Sequence, residues 1–101
     1  EPYDIVLTKG LLIHIPEDDL PEVYARLDAA TKRWLLICEY YNPTPVEVVY
    51  RDRVGMLWKR DFAGELMDSH GYSLRNYGFV YHRDPYSPQD DITWFLLEKR
   101  R

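Results

Sequence analysis

The chain has 101 residues, and its 13 Lys and Arg against 17 Asp and Glu give a formal net charge of -4. This length allows one domain, the lack of a basic excess argues against a large nucleic-acid footprint, and no apolar run approaches the roughly 20 residues of a membrane span. The single cysteine, Cys38, cannot form an intramolecular disulfide, so we expect a cytoplasmic protein with no nucleic-acid partner and no membrane partner.

The first part of the chain alternates between strand and helix signals. Residues 3–8 are a short β-type run, and residues 11–15 are predicted to form a turn or one helical loop. A helix with an apolar stripe is predicted after an N-cap at Asp19, with Glu22 in the capping-box position. Residues 34–38 form a continuous apolar run, which is typical of a parallel strand covered on both faces.

A long mixed segment and a second helix follow. Residues 46–58 are predicted to be a loop that is too long for a simple connector, and therefore functional or mobile. Asp61 can cap the second helix, and Gly71 suits the position just after its end. Four basic residues of this region either contact an acidic ligand or lie on a solvated surface. They are Arg51, Arg53, Lys59 and Arg60.

The chain is predicted to end with two strands, at residues 74–82 and at residues 91–98. A bulge is expected at Gly78 in the first of them. No helix separates them, so they should be antiparallel neighbours. The complete order is strand, helix, strand, helix, strand, strand. It predicts an α/β fold with a partial doubly wound, Rossmann-like sheet of three parallel strands, a C-terminal antiparallel strand and two main helices.

Candidate functional residues lie where the predicted parallel strands end, because ligands of open α/β sheets bind outside the carboxyl ends of the strands. The first group is Thr8, Lys9, Gly10 and His14, the second is Glu39, Tyr40, Tyr41 and Asn42, and the third is His82, Arg83 and Asp84. The His and Cys residues are few and widely spaced, so no metal site is expected. The five glycines are isolated and form no phosphate-binding loop.

Several of these residues have more than one interpretation. His14 is either a general base, since histidine titrates near neutrality, or a side chain that ties the loop to backbone carbonyls, or a contact to cofactor or substrate. His82 is either a base or substrate ligand, or a strand-end residue without a role. Glu39 ends a buried strand, where a carboxylate needs a partner. That partner is either a ligand or an Arg or Lys side chain.

The order of elements resembles the C-terminal half of class I S-adenosylmethionine-dependent methyltransferases. Tyr3-Asp4-Ile5-Val6, followed by Leu12-Ile13-His14-Ile15, is similar to the stretch after the fourth strand of these enzymes. Four longer segments resemble methylases associated with pseudaminic acid biosynthesis. They are Thr8-Lys9-Gly10, Glu39-Tyr40-Tyr41-Asn42-Pro43, Lys59-Arg60-Asp61-Phe62-Ala63-Gly64-Glu65-Leu66 and Tyr77-Gly78-Phe79-Val80-Tyr81-His82-Arg83-Asp84-Pro85. This narrower resemblance covers nearly the whole chain.

The resemblance implies that residues 1–101 are the C-terminal half of a methyltransferase domain. The cofactor would be S-adenosylmethionine, and the substrate a small molecule, a sugar or nucleotide-sugar of surface glycan biosynthesis of the pseudaminic acid type. The cofactor-binding half would lie upstream, so the isolated chain is expected to be inactive. It is also expected to self-associate through the exposed edge strand 3–8.

The expected roles place His14 as the catalytic residue. The expected cofactor-binding residues are Thr8, Lys9 and Gly10, and the expected substrate-binding residues are Glu39, Tyr40, Tyr41, Asn42, His82 and Arg83. Two other interpretations remain open at this point. The chain could be a non-catalytic α/β interaction module that keeps the methyltransferase architecture, or a nucleotide-binding domain of another α/β type.

Overall fold

The computed structural model describes residues 2–50, 53–85 and 91–100. The elements, in chain order, are β1 (Tyr3–Lys9), the 3-10 turns η1 (Leu12–His14) and η2 (Glu17–Asp19), α1 (Leu20–Ala30), β2 (Thr31–Glu39), β3 (Val46–Tyr50), β4 (Arg53–Lys59), α2 (Phe62–His70), β5 (Tyr72–Val80) and β6 (Ile92–Lys99). This confirms the predicted α/β character and the two main helices. Neither helix, and no other helix of the described ranges, is long and apolar enough to cross a membrane.

The main sheet has four strands in the order β1-β2-β6-β5. β1 and β2 form a parallel pair, whereas β6 pairs antiparallel with both β2 and β5. The prediction of three parallel strands is therefore correct for one pair only. The third predicted strand, β5, points the same way as β2 but is separated from it by β6, because the last strand inserts between them instead of adding at the edge.

A β-hairpin replaces the loop predicted over residues 46–58. β3 and β4 form a separate two-stranded antiparallel sheet, with Val46 opposite Lys59 and Val48 opposite Leu57. Leu57 is buried and belongs to the main core. The sequence did not predict this hairpin because its β-branched residues alternate with polar ones over a short stretch only. What stabilises the strands is packing against the rest of the chain, which the local sequence does not show.

The helix ends follow the predicted capping chemistry at α2 but not at α1. The Asp61 carboxylate accepts a hydrogen bond from the Gly64 backbone N–H at 2.9 Å, and Gly71 has the left-handed φ of 68°. Asp19 makes no side-chain cap bond and has helical dihedral angles, φ -92° and ψ -14°. The capping box is wrong because the chain already turns before Asp19, and a capping residue needs an extended backbone.

The core lies on one face of the main sheet, under the two helices and η1. Its members share near-complete burial. They are Leu12, Ile13, Leu20, Tyr24, Leu35, Ile37, Leu57, Phe62, Ala63, Leu66, Tyr72 and Leu97. Alternate residues of each strand point to the opposite face, which we call the open face. It is lined by Ile5, Leu7, Leu36, Trp94 and Leu96 among others and borders a groove of about 620 Å³.

Gly78 lies directly opposite Trp94 in the β5–β6 ladder. A Cβ atom at Gly78 would come within 2.6 Å of the Trp94 ring, so the glycine leaves the space that the indole occupies. The bulge predicted at Gly78 is wrong, since the register shift falls between Leu74 and Asn76. The glycine is thus explained by a close approach of a side chain to the backbone.

Candidate functional site

A cleft opens where β1 and β2 end. The parallel ladder continues as far as Lys9 opposite Cys38, and the next backbone N–H, of Gly10, donates to the Cys38 carbonyl at 3.1 Å. The chain then turns into η1. The resulting cleft has a volume of about 290 Å³ and is lined by Lys9, Gly10, Ile13, His14, Glu39, Tyr40 and Ile92. Five of these seven residues are predicted site residues, from both the first and the second group.

Glu39 is the most deeply buried charged residue of this cleft, with 2% of its surface exposed. Its Oε2 accepts a hydrogen bond from the Leu11 backbone N–H at 3.2 Å, and its Oε1 accepts one from the Ile13 backbone N–H at 3.3 Å. In the described part of the chain, backbone groups therefore take the place of the Arg or Lys partner considered from the sequence. Thr8, also 2% exposed, lies beside this carboxylate.

Two opposing effects act on the Glu39 carboxyl. Burial raises its pKa, because the charged form is poorly solvated, and this effect is the largest. The Thr8 hydroxyl and the backbone N–H groups that follow Gly10 lower the pKa, without offsetting burial. The buried Thr8 hydroxyl makes no hydrogen bond to another described residue, so it acts on Glu39 as a nearby polar group.

A pH dependence of stability follows from the raised pKa of Glu39. The folded chain binds this proton more tightly than the unfolded chain, whose carboxyl has a pKa of about 4.3. The stability of the wild type relative to a Glu39→Gln variant should therefore fall as pH rises from about 4.3 through the raised folded pKa. Urea unfolding of both proteins across this range measures the difference.

Glu98 supplies a matched control of opposite sign for this measurement. Hydrogen bonds from Arg75 at 2.7 Å and Arg33 at 2.9 Å lower the pKa of the Glu98 carboxyl. The stability of the wild type relative to Glu98→Gln should therefore be lost as pH falls through the acidic range. If both stability differences changed with pH in the same direction, the assignment of the raised Glu39 pKa to burial would be contradicted.

His14 ends η1 and is exposed at the rim of the cleft. Its backbone N–H donates to the Leu11 carbonyl at 3.1 Å, and the two residues before it, Leu12 and Ile13, are buried. The imidazole therefore lies on a turn that two apolar side chains, Leu12 and Ile13, hold against the core. This arrangement presents a titratable side chain to the cleft while its backbone is fixed.

The two tyrosines after Glu39 go to different places. Tyr40 lines the cleft, and the Lys59 ammonium lies 5.5 Å from the centre of its ring. Tyr41 packs near Phe95, with ring centres 5.8 Å apart. Asn42 folds back on its own loop, where its amide donates to the Thr44 carbonyl at 2.6 Å.

His82 and Arg83 do not line the cleft. The His82 imidazole pairs with the Asp91 carboxylate, with 2.9 Å between Nδ1 and Oδ1, and its ring lies 4.9 Å from that of Tyr81. Arg83 is exposed in the turn that follows. The third predicted group is therefore at the end of β5, apart from the first two groups.

Two residues that line the cleft, Ile13 and Ile92, were not predicted as site residues. Ile92 lies there because β6 starts beside the end of β2. Lys59, one of the four basic residues considered from the sequence, reaches the ring of Tyr40 from the end of the hairpin. Arg60 is only 12% exposed at its side chain and bonds to Glu65 at 2.7 Å and Glu17 at 3.2 Å. Arg51 and the side chain of Arg53 lie outside the described residues.

No protein-family model matches the sequence, and no curated protein matches it. Solved structures do match the fold. The chain is similar to a Burkholderia thailandensis 1,6-didemethyltoxoflavin-N1-methyltransferase with bound 1,6-didemethyltoxoflavin and S-adenosylhomocysteine, with a TM-score of 0.73 and 14% identity over 97% of this chain and 44% of that one.

Two further structures give the same result. A magnesium protoporphyrin IX methyltransferase from Synechocystis PCC 6803 with bound S-adenosylmethionine has a TM-score of 0.63 and 15% identity, over 97% of this chain and 39% of that one. A Leishmania major S-adenosylmethionine-dependent methyltransferase has a TM-score of 0.63 and 14% identity, over 95% of this chain and 38% of that one. The chain thus shares part of the fold of these enzymes and spans less than half of their length.

Proposed function

We propose that this chain forms the substrate-side half of an S-adenosylmethionine-dependent methyltransferase domain that acts on a small molecule. The observation that carries the proposal is that 97% of the chain matches a small-molecule methyltransferase at a TM-score of 0.73. The cleft at the ends of β1 and β2 supports it, since ligands of open α/β sheets bind at that edge. The resemblance in sequence favours a sugar or nucleotide-sugar of the pseudaminic acid type as substrate.

The size of the cleft limits what this chain can bind by itself. Its volume of about 290 Å³ is at the lower limit of ligand pockets, which leaves room for part of a cofactor and acceptor pair but not for both. We therefore assign Lys9 and Gly10, with Thr8 beneath them, to the cofactor side and Tyr40 to the substrate side. The expected inactivity of the isolated chain agrees with this partial site and stays a prediction.

The chemistry assigned to this chain is positioning and proton transfer. When bound, S-adenosylmethionine supplies an electrophilic methyl group on a sulfonium. The acceptor must approach in line with the breaking bond, so the residues that line the cleft would act mainly by holding it in place. His14 would take the proton of a hydroxyl or amine acceptor, because its imidazole is exposed at the cleft and histidine is the side chain that most often serves as a general base.

The test is a transfer assay with methyl-tritiated S-adenosylmethionine. The full-length protein should transfer label to a member of a panel of sugars and nucleotide-sugars, recovered in the small-molecule fraction. Label that appears only on protein or nucleic acid would contradict the proposed substrate class. Absence of transfer to any acceptor, with S-adenosylmethionine unbound in calorimetry, would favour the non-catalytic interaction module.

Self-association through residues 3–8 also stays a prediction. β1 lies at an edge of the main sheet, and its outward side chains Tyr3, Ile5 and Leu7 are 68%, 56% and 57% exposed. An exposed apolar edge strand is a template for pairing with another strand. The test is analytical ultracentrifugation, which compares the mass of the wild-type chain in solution with that of an Ile5→Lys variant. If both are monomers, self-association through β1 is contradicted.

A further inference from the structure

Glu39 joins two parts of the chain that are far apart in sequence. The carboxylate at the end of β2 accepts hydrogen bonds from backbone groups of Leu11 and Ile13, which are 28 and 26 residues away. Both donors belong to the turn that carries His14. The link therefore crosses from the second strand to the segment that follows the first.

The geometry of Glu39 differs from that expected of a substrate ligand. Each carboxylate oxygen already accepts one backbone hydrogen bond, and 2% of the residue is exposed. A residue that binds an exchanging ligand needs acceptor atoms that the ligand can reach. Glu39 lines the cleft but is almost fully buried, and both of its oxygens are already engaged by backbone N–H groups of the turn.

The residue at the start of the turn cannot cap it. Leu11 precedes η1, and its apolar side chain makes no capping hydrogen bond. The first N–H groups of a helical turn have no partner within the turn. Glu39 fills this need from another strand, since its two carboxyl oxygens accept hydrogen bonds from N–H groups of the turn.

We propose that Glu39 is a positioning residue that fixes η1 and thereby holds His14 at the rim of the cleft. The role of His14 as a base rests on the proposed function, but the positioning itself does not. Two anchors then act on the turn from different sides. Leu12 and Ile13 hold it by burial in the core, and the Glu39 carboxylate sets its orientation through the backbone.

The first test follows wild-type protein by NMR during a pH titration, with no cofactor or acceptor added. The amide protons of Leu11 and Ile13 should shift with a single midpoint, shared with the Glu39 carboxyl carbon. The ring signals of His14 should show a step at that same midpoint. Amide shifts that do not follow the Glu39 carboxyl would overturn the proposal, and this arm needs no variant to fold.

The second test compares hydrogen exchange in Glu39→Gln with that in a matched control, Glu65→Gln. Glu65 also accepts side-chain hydrogen bonds, from Tyr24 at 2.7 Å and Arg60 at 2.7 Å, but it lies on α2. We expect about tenfold loss of protection at Leu11 and Ile13 in Glu39→Gln only, since the amide cannot accept from both N–H groups. The His14 ring signals should shift in the same variant.

Two outcomes of the exchange experiment would overturn the positioning role. Equal loss of protection at Leu11, Ile13 and core amides such as those of Leu35 and Leu97 would mean that Glu39 only stabilises the whole chain. Local loss at the turn with unchanged His14 signals would mean that the turn does not place the imidazole. Failure of the methyl-transfer assay would change neither readout, so the two proposals fail separately.

Discussion

Replacing His14 with Ala in the full-length protein is expected to lower the turnover of methyl transfer about a hundredfold, with little change in cofactor affinity. His14 is the proposed general base, and its side chain is exposed at the cleft. Loss of the proposed general base would slow the chemical step, whereas the contacts proposed to bind the cofactor would remain. The measurement is kcat and the KM for S-adenosylmethionine in the tritium assay.

A second substitution separates catalysis from structure at the same position. His14→Asn keeps a hydrogen-bonding side chain but cannot accept a proton in the relevant pH range, so it should be as slow as His14→Ala. His70→Ala is the matched control, because His70 ends α2, away from the cleft, with its ring nitrogen 2.8 Å from the Ser69 hydroxyl. Turnover near the wild-type value in His14→Asn would assign His14 a structural role.

Replacing Leu97 with Ala is expected to lower the free energy of unfolding by about 2 to 5 kcal/mol. Leu97 is fully buried in β6 and lies opposite Leu35 of β2 and Leu74 of β5. Its side chain thus fills the core on the strand that joins β2 to β5. The loss is large against the roughly 5 to 15 kcal/mol that stabilises a domain. Urea unfolding followed by circular dichroism measures it.

Leu74→Ala is the matched control for Leu97→Ala. It removes the same atoms from the residue paired with Leu97, but Leu74 is 41% exposed. We expect a loss of less than about 1 kcal/mol, because partly exposed sites away from the core change stability little. Similar losses in the two variants would contradict the placement of Leu97 at the centre of the core.

Local chemistry made parts of the fold predictable from the sequence. The start of α2 at Asp61 and the left-handed Gly71 after its end depend on neighbouring residues only, and both were found. The insertion of β6 between β2 and β5 depends on pairing between distant segments, which hydrophobic periodicity does not specify. The same limit explains the missed hairpin, where Leu57 is buried by contacts with residues far along the chain.

The candidate site was predictable as far as the strand order was. Lys9 ends β1, Glu39 ends β2 and His14 lies in the turn after β1. Because the two strands are adjacent and parallel, these residues line one cleft. His82 follows β5, which lies two inter-strand spacings, roughly 10 Å, from β2 because β6 lies between them. The backbone hydrogen bonds of Glu39 could not be predicted, because they depend on the path of η1.

The inserted position of β6 also matters while the chain is being made. β1 and β2 can pair as soon as both have left the ribosome, but β5 has no neighbour in the sheet until β6 follows it. Until residues 92–99 emerge, β2 and β5 each present an unpaired edge, and β5 carries the exposed rings of Tyr77 and Phe79. A pause in translation after β5 has left the ribosome, but before β6 has done so, would therefore prolong an aggregation-prone nascent state.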